Sequence, residues 1–135
     1  METLYGTSAP PRILVVEDES VIRALMVEVL SDAGYEVDEA NGSEAAMRLL
    51  GTDGYNLLGT DIHMPGAWDG LQIAQAAQAK HAALPVVFVT GRHDILNRLR
   101  RSGIAGAALP KPFDLDDFVQ VVRDLVGPAV AVSLN

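Results

Sequence analysis

Three acidic side chains, one hydroxyl and one ammonium sit in this chain directly after short apolar runs. Glu17 and Asp18 follow Ile13-Leu14-Val15-Val16, and Asp61 follows Asn56-Leu57-Leu58-Gly59-Thr60. Thr90 and Gly91 follow Val86-Val87-Phe88-Val89, and Lys111 follows a run ending in Leu109-Pro110. Carboxylates crowded at one point repel one another, and they stay ionised only if a cation joins them or protons are taken up. Oxygen-only ligands favour a hard ion, and Mg²⁺ takes one or two carboxylates with water and phosphate oxygens. A carboxylate is also a nucleophile that forms an aspartyl phosphate. A phosphoryl group in transfer needs a metal, a cation and a hydrogen-bond donor on its three equatorial oxygens. Mg²⁺, Lys111 and Thr90 make up that set, and the amide of Gly91 adds a donor where glycine permits close approach.

This chemistry requires that the four runs be strands ending at one edge. Ile13–Val16 is β-branched and continuous, as in a strand covered on both faces. Ser20 is expected to cap a helix whose Ile22, Leu25, Met26, Val29 and Leu30 recur at helical spacing, with Gly34 closing it. A second strand is expected over Glu36–Ala40, then a short helix capped by Ser43 and ended by Gly51. The third strand, Asn56–Thr60, runs into Asp61. A loop leads from there to the Ala- and Gln-rich helix Leu71–Lys80. Val86–Val89, a weaker helix Ile95–Arg101, a strand Ala105–Leu109 and a last helix begun at Asp114 complete the series. Leu115, Phe118, Val119, Val122 and Val126 form one stripe of that helix. Val121 lies off it, which predicts an apolar patch on the face of the fourth helix, fifth strand and fifth helix. Alternating strands and helices imply right-handed crossovers and a parallel sheet between helical layers, an α/β doubly wound fold. Ligands of such sheets sit beyond the carboxyl ends of the strands, where the candidate residues fall.

Composition narrows the classes. The 135 residues suit one domain, read as residues 12–126 with a flexible lead-in over 1–11 and a tail over 127–135. A net charge of −8 repels phosphate backbones and argues against a direct nucleic-acid partner. No cysteine is present, which excludes disulfides, cysteine metal sites and thiol nucleophiles. No apolar run approaches the roughly 20 residues of a membrane span, and Met1–Pro11 lacks the pattern of a secretory signal. A cytoplasmic location is the expectation.

The pattern V-V-E-D-E, then T-D-I-H-M-P-G with D-G-L, then V-T-G, then L-P-K-P-F resembles a response-regulator receiver domain over about residues 12–126. The resemblance implies a flavodoxin-like five-stranded sheet in the order 2-1-3-4-5. It also implies a histidine kinase or histidine phosphotransfer protein that donates a phosphoryl group to an aspartate. Asp61 stands at the phosphoacceptor position. Asp18 matches the direct metal ligand, Glu17 the neighbouring acid, and the backbone carbonyl of His63 the third protein ligand for Mg²⁺. Thr90 matches the switch hydroxyl and Lys111 the phosphate-binding lysine. Pro112 follows it, as in most of the family, where the bond is usually cis. His63 and Arg92 fall where receivers tune the lifetime of the acyl phosphate, and equally read as solvated loop residues.

Three departures stand out. Most receivers carry Tyr or Phe three positions before the lysine, and here that position is Ala108. The loop from Asp61 to Asp69-Gly70 is one residue longer than the commonest pattern, and Thr90 to Lys111 is one shorter, which predicts a displaced or poorly formed fourth helix. Pro85 to Gly91 also resembles a receiver subgroup without the aromatic switch.

Taken singly, the same residues have plainer explanations: an acidic turn, a helix cap, a turn threonine, a surface lysine. His63, His81 and His93, spaced by 18 and 12, match no compact zinc motif. Trp68 is a half-buried loop residue or a partner contact. Arg98, Arg100 and Arg101 are a solvated helix face or a docking surface. The expected function is a single-domain response regulator, a phosphoacceptor and not an enzyme beyond self-catalysed phosphorylation and dephosphorylation. With so little chain after Val126, output is expected through contact with a downstream protein or onward phosphate relay. Two alternatives stand beside it. Ala108 motivates a receiver-like adaptor that binds partners without phosphate. An aspartate-nucleophile phosphatase shares the residue types, but its nucleophile lies on the first strand and its acidic pair comes last, the reverse of the order here.

Overall fold

The computed structural model describes residues 9–52, 54–64, 66–92, 95–104 and 106–129. Strands and helices alternate: β1 Arg12–Val16, α1 Ser20–Asp32, β2 Glu36–Ala40, α2 Ser43–Leu50, β3 Leu57–Asp61, α3 Gly70–Lys80, β4 Val86–Thr90, α4 Ile95–Ser102, β5 Gly106–Pro110 and α5 Leu115–Val126. The five strands form one parallel sheet in the order β2-β1-β3-β4-β5. The expected topology is therefore the observed one.

The continuous apolar strands fill two cores, because successive side chains point to opposite faces. Leu14, Val16, Leu58, Val86 and Phe88 face α2 and α3, where Ala46, Ile73, Ala74 and Ala77 are buried. Ile13, Val15, Leu57, Val87 and Val89 face α1 and α5, where Met26, Leu30, Phe118 and Val122 are buried. The outer strand β2 carries Glu36, Asp38 and Glu39, charges that discourage pairing with another strand. At the amino-terminal end of the sheet, the Asp38 carboxylate accepts from the Arg12 guanidinium at 2.8 Å and from the Tyr55 hydroxyl at 2.6 Å. The Arg12 guanidinium also lies 4.7 Å from the centre of the Tyr55 ring. The Tyr55 and Arg12 bonds hold Asp38 below the usual carboxylate value. Burial, then the bond to Asp38, pushes Tyr55 up to about 12.

Several expectations shift. Ser20 and Ser43 do not cap: each is the first helical residue, and Glu19 and Gly42 are the N-caps without a side-chain cap bond. A capping residue must keep non-helical dihedrals so that its side chain reaches the free amides. Asp69 meets that condition in full, since its carboxylate accepts from Gln72 N and its own amide donates to the Gln72 side chain, both at 2.9 Å. Asp114, expected as the first residue of the last helix, is instead the N-cap of α5, its side chain accepting from the Asp116 amide. The third strand runs one residue later than expected, so that Asp61 is its last member. The fourth helix is formed, over eight residues, with Leu99 packed on the core and Asn97, Arg98, Arg100 and Arg101 exposed. Arg98 bonds Asp69 Oδ2 at 3.2 Å, tying α4 to the start of α3. Val121 is not part of an exposed patch. It is half-buried on the α1–α5 core, because α5 packs against α1 as well as against the sheet. Among the described residues the exposed large apolar side chains are Val21, Leu25, Trp68 and Leu125.

Candidate functional site

The carboxyl ends of β1, β3, β4 and β5 bring the candidate residues together. Asp61 is buried at the end of β3, paired with Val89 of β4. Thr90 is buried at the end of β4, opposite Pro110. The amide of Lys111 donates to the Thr90 carbonyl at 2.7 Å, continuing that ladder, and the Lys111–Pro112 bond is cis. On β1 the ladder continues through the Glu17 amide, which donates to the Ala40 carbonyl at 3.1 Å. The chain then turns, and Glu17 is fully buried while Asp18 is exposed.

The loop after Asp61 folds back tightly on that residue. The Gly70 amide donates to the Ile62 carbonyl at 2.8 Å. A Cβ on Gly70 would collide with the Asp61 carbonyl, so only glycine allows α3 to start so close to the strand end. Further along, Gly66 has φ +118, and a Cβ there would collide with Ser43 Oγ. This loop therefore rests on the start of α2, where the Ser43 hydroxyl is buried with no hydrogen-bond partner among the described residues.

One cation organises the carboxylates. Lys111 Nζ lies 2.8 Å from Glu17 Oε1, 2.9 Å from Asp61 Oδ2 and 3.9 Å from Glu19 Oε1. The second oxygen of Glu17 accepts from the Glu19 amide at 3.1 Å, and Asp61 Oδ1 accepts from the His63 amide at 3.1 Å. Burial raises Glu17 above the usual carboxylate value, against the pull of its bond to Lys111. Burial works against the Lys111 ammonium, but its bonds to Glu17 and Asp61 outweigh this and raise its pKa. Lys111 is therefore a fixed positive charge between two buried acids.

Thr90 Oγ1 accepts from the Arg92 amide at 3.1 Å and its hydroxyl faces the Arg92 carbonyl at 3.5 Å. Thr90 thus stands at the site without bonding the carboxylates. The His63 and Arg92 side chains are exposed. Ala108 is exposed on β5 opposite Phe88. It lines a groove of about 390 Å³ with Phe88, Leu99, Arg100 and Ile104. His93 and Ala105 lie outside the described residues.

Glu17, Asp18 and Asp61 each offer a carboxylate oxygen, and these oxygens all lie within 4.8 Å of one another. This is a wholly oxygen donor set of concentrated negative charge, which fits a hard divalent cation that completes its shell with water and phosphate oxygens. Sequence reasoning did not single out Arg23. Its guanidinium donates to the Glu17 carbonyl at 2.9 Å and to Glu39 Oε1 at 2.8 Å. No spacing rule signals a partner that is a backbone carbonyl.

The family model for the response regulator receiver domain matches residues 13–123. The transcriptional regulatory protein PdtaR of Mycobacterium tuberculosis is 35% identical over 119 residues, covering 86% of this chain and 57% of that protein. TcrA of the same organism, also named a transcriptional regulatory protein, is 35% identical over 124 residues, covering 89% of this chain and 47% of its own length. The chain thus spans about half the length of these relatives. The crystal structure of the response regulator TrrA from Thermotoga maritima, in complex with Mg²⁺-BeF, superposes with a TM-score of 0.77 at 34% identity, covering 85% of this chain and 98% of that one.

Proposed function

The chain belongs to the response regulator receiver family, and we propose that it accepts a phosphoryl group on Asp61 from the phosphohistidine of a histidine kinase or phosphotransfer protein. A carboxylate oxygen of Asp61 attacks phosphorus. The phosphorus–nitrogen bond breaks, and the leaving imidazole nitrogen keeps the electron pair. The observation that carries this reading is the Lys111 ammonium, 2.9 Å from Asp61 Oδ2 and anchored on Glu17 at 2.8 Å. A cation already held at the acceptor meets the charge of the arriving phosphoryl oxygens without reorganisation. Thr90 contributes its hydroxyl as a donor to a second oxygen by exchanging its long contact with the Arg92 carbonyl, 3.5 Å, for the phosphoryl group. Glu17, Asp18, Asp61 and the backbone carbonyl of His63 are the groups that would hold Mg²⁺. Bound there, Mg²⁺ neutralises charge on the transferred group. His63 and Arg92, exposed beside the site, would tune how readily water reaches the acyl phosphate.

With Ala108 in place of an aromatic ring, output does not run through a ring that swings inward. It runs through contact of the phosphorylated form with another protein or through onward relay of the phosphoryl group, in the cytoplasm. Among the described residues no helix is long and apolar enough to cross a membrane. The decisive experiment is labelling by a small phosphodonor such as acetyl phosphate with and without Mg²⁺. Labelling is expected in wild type with Mg²⁺ and absent in Asp61→Asn. Undiminished labelling of Asp61→Asn would overturn the assignment.

A further inference from the structure

Consecutive residues of a strand point to opposite faces. Glu17 and Asp18 nevertheless each place a carboxylate oxygen within 4.8 Å of the other and of one from Asp61. That convergence requires the backbone to leave the strand between them, with the intervening peptide fixed in one orientation. The Glu17 amide is fixed by the ladder bond to the Ala40 carbonyl at 3.1 Å. The Glu17 carbonyl, half of the peptide linking the two acids, has left the ladder, and Arg23 Nη1 donates to it at 2.9 Å. The guanidinium is itself held by Glu39 Oε1 at 2.8 Å, at the end of β2, and its side chain is 18% exposed. The amide of Arg23 donates to the Glu19 carbonyl at 2.9 Å, so the first turn of α1 closes around the same segment.

We infer that Arg23 is a positioning residue for a divalent cation at Glu17, Asp18 and Asp61, acting through the Glu17–Asp18 peptide. The inference rests on the metal set of the proposed function. Arginine suits the task because it stays protonated and its fork satisfies a carbonyl and a carboxylate at once. A charge-assisted bond is about twice as strong as a neutral one. Unlike Lys111, which bonds the acids directly, Arg23 places its charge behind the ligands, on a carbonyl, and does not compete with the cation for their oxygens. Glu39, on β2, fixes the guanidinium and is not one of the three carboxylates gathered at the site.

The test is calorimetric titration of the whole chain with Mg²⁺ at a temperature where each variant is folded. Outer-shell partners of metal ligands are typically worth about 10–100-fold in affinity. Arg23→Met should raise the Mg²⁺ Kd by about that factor, and Arg23→Lys, which keeps the charge and one donor, should recover part of it. Glu39→Gln, which leaves the guanidinium in place but loosens it, should shift the Kd in the same direction by less, and it serves alone if Arg23→Met does not fold. Thermal unfolding without Mg²⁺ separates the roles. A lowered Tm in Arg23→Met with an unchanged Kd, or Arg23→Lys no better than Arg23→Met, overturns the inference while leaving the metal site intact. A wild-type chain that takes up no Mg²⁺ removes the metal site itself, and the inference with it.

Discussion

Lys111 and Asp61 meet at 2.9 Å although their strands are not neighbours. β4 lies between β3 and β5, and the ammonium crosses its end to reach Asp61, 50 residues earlier, and Glu17, the residue after β1, at 2.8 Å. One side chain thereby links three strand ends.

Replacing that link should expose the repulsion it offsets. In Lys111→Met the Glu17 and Asp61 carboxyls lose the ammonium bonded to both, and the variant should be less stable by about 1–3 kcal/mol without divalent ions. Mg²⁺ should recover more stability in the variant than in wild type. Thermal unfolding with and without Mg²⁺ measures both, and equal Mg²⁺ effects in the two proteins would contradict the prediction.

Thr90→Ala should slow the uptake of phosphate from acetyl phosphate by on the order of 10²-fold, the usual loss when one donor to developing charge is removed. Thr90→Ser should stay near wild type, because only the hydroxyl is used. Initial rates of labelling decide, and an Ala variant as fast as the Ser variant would remove Thr90 from the chemistry.

Gly70→Ala should damage both stability and phosphorylation, since its Cβ would collide with the Asp61 carbonyl. Overpacking of this kind costs about 1–3 kcal/mol. Denaturant unfolding and labelling should fall together. Full labelling would mean that the loop can reshape without disturbing Asp61.

The cluster at the opposite end of the sheet should govern part of the pH dependence. Asp38 is lowered by its bonds to Tyr55 and Arg12, so its contribution is full above the ordinary value of 3.8 and is lost as pH falls through the lowered one. Tyr55 is raised from 10.0 to about 12, so its protonated form contributes fully below 10.0 and is lost as pH rises through the raised value. Asp38→Asn should therefore be less stable than wild type at neutral pH, and the gap should close in strong acid. Denaturant unfolding across the acid range tests this, and a gap independent of pH would refute it.

Asp61, Thr90 and Lys111 are legible because each ends or directly follows a short apolar run that reads as a strand, buried in β3 and β4 and half-exposed in β5. The topology then dictates that such ends share an edge. Glu17 and Asp18 were legible for the same reason. Helix starts were less so. Ser20 and Ser43 have the right side chain for a cap, but whether a residue is the last extended one or the first helical one depends on how the preceding loop leaves its strand. Val121 departs from the expected exposed patch because α5 meets α1 as well as the sheet. Arg23 stayed hidden because its partners, a backbone carbonyl and Glu39, come together only once β1 and β2 are paired.

The Asp69 carboxylate divides its two oxygens between helices: Oδ1 receives the Gln72 amide and starts α3, while Oδ2 receives Arg98 from α4. The first bond lies within one turn of chain, and the second joins two solvent-facing charges across a gap. Dissolved ions weaken only the second kind of contact appreciably. Ionic strength is therefore a dial that loosens the tether of α4 and leaves the start of α3 in place.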